Sequence, residues 1–250
     1  MRWIVYFSVG LASIATLPVA FSADEVCQQT TKLRPALEQR LEALNARLAQ
    51  GPADVQFYSQ RGDVHFFLGK FPAALADYDK MLELDPSLLA LHWRRGLAQF
   101  YVGQYSESAK QFERYFEQDQ SDRENGIWRF YAQVRELGLD EARRKLLPYD
   151  QPDRAPLPDI YDLCRGTLTA AVLESRLTGE GLSASELAKR EFYGHLYLGL
   201  DYAVKDQPEP ARQHLDRALA SDWAQSSGYG PNYMWHIARL QRDLLSQEAP

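Results

Sequence analysis

Histidine, cysteine and carboxylate side chains are where chemistry would first show. The chain has five histidines, His65, His92, His195, His214 and His236. No two stand four residues apart, the spacing that sets paired imidazoles on one helical face to grip a metal, and no cysteine lies beside any of them. The sequence therefore predicts no metal site, and His65 is expected at a packing position. There is no phosphate-cradling glycine loop, no dinucleotide fingerprint and no nucleophile elbow. Carboxylates are plentiful, 34 Asp and Glu in all, but charged faces on helices are normally solvated. No catalytic residue and no cofactor is expected, and a hydrolase built from dispersed acidic residues is the least favoured reading.

The elements that would position any site are helices. The 250 residues are 45% hydrophobic, rich in Leu and Ala and seldom β-branched after residue 30, which predicts an all-α chain. A net charge of −6 argues against sequence-independent nucleic-acid binding, which needs basic patches. Residues 1–22 carry one arginine, an apolar run and a small-x-small ending (Ala20, Ser22), the pattern of a secretory signal peptide. An uncleaved membrane anchor is the alternative. No lipid-attachment cysteine follows the run, so no lipid anchor is expected. Export, to the periplasm on this reading, makes a Cys27–Cys164 disulfide one candidate and two unrelated thiols the other.

A shift of 34 residues superposes Gly62 on Gly96, Gly69 on Gly103, Phe71 on Tyr105, Ala74 on Ser108 and Tyr78 on Phe112. Helical hairpins constrain these positions: small residues where two helices touch, a glycine to end the first, a large ring between them. The pattern resembles the tetratricopeptide repeat (TPR). It implies an N-terminal amphipathic helix over 23–54, carrying the stripe Leu33, Leu37, Leu41, Leu44 and Leu48, then repeats at 55–88 and 89–122 and a degenerate third at 123–147. A Pro-rich connecting loop at 148–158, short helices within 159–191, a fourth copy at 192–225 and a C-terminal helical extension over 226–250, with Pro231 as its first helical residue, complete a helical-hairpin solenoid.

In that register the first helices line a concave surface. Gln60, Asp63 and Phe66 from the first copy, Trp93, Arg94, Leu97 and Phe100 from the second, and Trp128, Arg129 and Arg135 from the third would form an aromatic groove edged by arginines. Such a groove suits a peptide with apolar and some acidic side chains. The alternative is that these aromatics pack inside the molecule.

The order of segments beyond the repeats adds a second resemblance. Ile127–Gln133, Asp159–Thr169, Glu191–Gly199 and Asn232–Leu240 follow one another in a layout similar to the bacterial envelope family of new lipoprotein I, although the lipid-attachment cysteine is missing. The resemblance implies a non-catalytic, dimeric adaptor of the cell envelope that gathers cell-wall hydrolases and a protease. A self-associating structural envelope component is the other reading. In either case the partners are proteins or peptides, with a possible homodimer seam on the Leu33–Leu48 stripe.

Overall fold

The computed structural model describes residues 23–247, with the side chains of 23–31 outside the described set. The leader at 1–22 and any bond made by Cys27 thus fall outside the described residues. Among them the chain is all-helical: α1 (Ala23–Gln50), α2 (Val55–Phe67), α3 (Phe71–Leu84), a short 3-10 turn (Pro86–Leu89), α4 (Trp93–Tyr101), α5 (Tyr105–Gln118), α6 (Arg123–Leu137) and α7 (Leu139–Arg144) form the first part. The second part holds α8 (Leu157–Arg165), α9 (Ala170–Leu177), α10 (Ala184–Val204), α11 (Pro208–Leu219), α12 (Trp223–Ser226) and α13 (Tyr229–Gln247). None of the described helices is long and apolar enough to cross a membrane.

The helix boundaries have local causes. Asp54, Asp122 and Ser183 cap α2, α6 and α10 by accepting backbone N–H groups of the first turn. Gly69 and Gly103 take φ of +73° and +78° to turn α2 into α3 and α4 into α5, as their alignment predicts. The last helix starts at Tyr229 rather than Pro231; Pro231 still lies in its first turn, where its missing N–H leaves no bond unmade.

Paired helices approach through glycine. A Cβ at Gly62 would stand 2.5 Å from the Tyr78 ring, and one at Gly96 would stand 2.8 Å from Phe112. In each hairpin the ring sixteen residues later occupies the missing side chain's space, and Gly199 receives Leu215 in the same way between α10 and α11. A second recurring device fastens the hairpins. Arg61 grips Asp77, Arg95 reaches Gln111, and Arg129 donates to the Lys145 carbonyl at 2.7 Å. These arginines are spaced by 34 residues, and each partner again lies sixteen residues on.

The third unit solves the same problem differently. Its second helix, α7, has six residues, too few to bring a large ring back to α6. Tyr149, from the Pro-rich loop, fills the role: a Cβ at Gly126 would lie 2.4 Å from its ring. Tyr149 is buried, packs edge-on to Phe116 and Tyr161, and lies beneath the Arg123 guanidinium. The loop is therefore part of the core.

The leucine stripe of α1 covers α2: Leu41 and Leu44 are buried with Val64 and Leu68, flanked by Leu37 and Phe57. The main core runs continuously from α2 to α13.

Candidate functional site

The inner face predicted to be a groove is occupied by the chain itself. Helix α13 lies along α2, with Tyr233 packed on Phe66, Phe67 and Trp93 at ring separations of 5.1, 5.0 and 4.9 Å and His236 stacked on Phe67 at 3.8 Å. Buried Arg239 donates to the Phe67 carbonyl at 2.5 Å. Phe66, Leu97, Phe100 and Trp128 are accordingly core residues. An open groove along all three units is thus corrected to a filled one, because the apolar rings are covered by the apolar face of α13.

The polar residues assigned to the groove are engaged as well. Asp63 accepts from the Tyr78 hydroxyl (2.8 Å), Arg94 (2.7 Å) and the Tyr229 hydroxyl (2.7 Å). Tyr78 also meets the Tyr233 hydroxyl at 3.1 Å. Arg94, although burial disfavours its charge, is held protonated by Asp63. Gln60 faces α1, where Arg40 donates to it. Arg129 occupies the hairpin-fastening position of Arg61 and Arg95 rather than the groove position of Arg94, so the register of the third unit at this residue is the strict 34-residue one. Arg135 pairs with Asp206 at 2.8 Å.

What stays open lies one unit further along. A cavity of about 230 Å³ is lined by the apolar and aromatic residues Trp93, Phe112, Tyr115, Trp128, Tyr193 and Met234 and by the polar residues Asp122, Glu124, Asn125 and Arg154. Of the ten predicted groove residues, Trp93 and Trp128 line it. The cavity forms where α13 begins: Gly230 and Pro231 offer little side chain at its rim. The Trp128 indole N–H has no partner within the protein.

The polar lining of the cavity is charged. Glu124 sits in the first turn of α6, accepting from the Tyr197 hydroxyl and from Arg154, each at 2.5 Å. Burial pushes its carboxyl up to about 7, against the pull of Arg154. Asp122, also raised by burial, caps α6 and accepts from Asn125 at 2.9 Å. Arg154 bridges Glu124, Asp122 and Asp153; burial opposes its charge, but the three carboxylates outweigh that and raise its pKa. Sequence reading missed Glu124, Arg154 and Tyr193. Nothing local in the sequence shows that a residue from the Pro-rich loop closes on Asp122 and Glu124.

A second polar cluster lies away from the cavity. Glu174 of α9, His195 of α10 and His214 of α11 bring one ligand atom each within 4.8 Å of the others. The two imidazoles face through Nδ1 atoms 3.1 Å apart. Burial holds both below the usual histidine range, His195 at about 3, so both rings are neutral near pH 7. Three separate helices supply the set, so no spacing within one helix announces it in the sequence.

Cys164 is completely buried and unbridged among the described residues, and burial pushes its thiol pKa well up.

No family model matches the chain. A stretch of 47 residues is 47% identical to Protein SGT1 homolog of Homo sapiens; it covers 19% of this chain and 13% of that protein.

Proposed function

We propose that the chain is an exported TPR adaptor of the cell envelope that binds protein partners, with cell-wall hydrolases or a protease as its clients. The solenoid reading is supported by the 34-residue recurrence of the arginine fastenings Arg61, Arg95 and Arg129 and by the glycine–ring contacts at Gly62 and Gly96. The observation that carries the binding role is the cavity beside α13. It is lined by aromatic rings and carboxylates and is the size of one side chain. Its chemistry suits an apolar stem with a cationic tip, a Lys or Arg of a partner segment, which would meet aromatic faces along its length and, by taking the place of Arg154, the Asp122 and Glu124 carboxylates at its end. Arg154 already makes this interaction from within the chain.

A photo-crosslinking residue at Tyr115, used in cells with the full chain, tests the proposal. Foreign peptides captured at Tyr115, and not at exposed Glu209, are the expected result. Capture of this chain alone would instead support the self-associating structural component. A hydrolytic role has the convergence of Asp122 and Glu124 in its favour, but both Glu124 oxygens are already bonded, to Tyr197 and Arg154.

A further inference from the structure

We infer that Glu174, His195 and His214 form a binding site for a divalent transition metal of the zinc class, fastening α9, α10 and α11 together. Two imidazole nitrogens and a carboxylate oxygen are a donor set that Zn²⁺ takes in tetrahedral sites, with the fourth position left to water. The geometry is near what such an ion needs. Nitrogens about 2.0–2.1 Å from zinc at tetrahedral angles stand about 3.3–3.4 Å apart, and the two Nδ1 atoms are 3.1 Å apart. The carboxylate lies within the same 4.8 Å set, so the three donors already converge on one point.

The surroundings supply orientation. The Tyr202 ring stacks on His214 with planes 9° apart and centroids 5.5 Å apart, fixing the plane of that imidazole. Arg217 donates to one Glu174 oxygen at 2.7 Å, anchoring that carboxylate. A ligating carboxylate held from behind in this way is the usual second layer of a metal site. Without an ion, the two facing nitrogens share one proton in an N–H···N bond. Binding shifts that proton to Nε2 of the same ring and frees both Nδ1 lone pairs, with no net proton released.

The inference does not depend on the cavity or its partner. Full-length chain stripped with a chelator and titrated with Co²⁺ should bind one ion per chain and develop the intense visible absorption of a tetrahedral centre. Zn²⁺ should displace the cobalt and raise the melting temperature. His195→Gln and His214→Gln should each abolish the absorption and weaken binding at least about 100-fold, while His65→Gln, remote from the site, leaves both unchanged. Arg217→Ala should weaken binding about 10-fold, as loss of a partner behind a ligand does. Circular dichroism of each variant separates loss of the site from loss of the fold. Absence of stoichiometric Co²⁺ binding, or binding that persists in the folded His195→Gln/His214→Gln double variant, overturns the assignment and leaves a plain imidazole–imidazole hydrogen bond.

Discussion

The inner face over α2 and the inner face over the start of α6 arise from the same kind of helix, yet one is sealed and the other hollow. Over α2 the rings of Tyr233 and Trp93 close the space, and Asp63 is bonded by Arg94, Tyr78 and Tyr229 together. Over α6 the cover is the beginning of α13, where Gly230 and Pro231 replace rings, and a space of about 230 Å³ remains above Glu124 and Arg154. A filled face contributes stability. A hollow one, lined by a half-buried tryptophan and a carboxylate near neutrality, is suited to binding.

Substitutions can break that contrast. Trp128→Ala, at the shared wall of both regions, should cost about 3–5 kcal/mol and lower the melting temperature steeply, because the ring is 1% exposed. Trp93→Ala should lose far less stability while abolishing partner capture, and equal losses in the two variants would erase the distinction.

Glu124→Gln tests the hollow region by pH. The folded carboxyl, at about 7, holds its proton more tightly than the ordinary 4.5 of the unfolded chain. Native protein thus binds more protons between those values, and the stability this group confers is present below about pH 4.5 and lost as pH rises through 7. The whole swing is on the order of 3 kcal/mol. Wild type should therefore gain on the glutamine variant as pH falls from 8 to 4, by thermal melts at fixed ionic strength; a constant gap would contradict a carboxyl whose burial outweighs its partners.

In the sealed region, Asp63→Ala leaves Arg94 with hydroxyl partners only and should cost about 2–3 kcal/mol by chemical denaturation. Tyr229→Phe removes one of the three bonds to Asp63 and should cost about 1 kcal/mol. If Tyr229→Phe proves as damaging as Asp63→Ala, the network acts as a unit rather than as separate bonds.

What could be read from the sequence was local. Gly62 and Tyr78, or Gly96 and Phe112, lie within one period, so a fixed spacing announces their contact. The leucine stripe and the cap at Ser183 are legible for the same reason. What could not be read depends on residues far apart: Asp63 and Tyr229 are separated by 166 positions, and Tyr197 reaches Glu124 across 73. The identity of the helix covering Phe66 and Trp93 leaves no trace in their own repeats. Tyr149 gave the opposite difficulty: prolines around it correctly announced a break in the helices, and concealed that its ring takes a helix's place on Gly126.

The position of α13 also sets an order of events during synthesis. Hairpins α2–α3 and α4–α5 close through contacts sixteen residues apart and can form as soon as each is made. Their inner rings, Phe66 and Trp93 among them, stay uncovered until α13 has been made and has docked. Until then the partly folded chain carries a sticky aromatic surface. A chain cut short before α13 would keep well-made helices and an unprotected aromatic face, a substrate for chaperones and proteases rather than a shorter working protein.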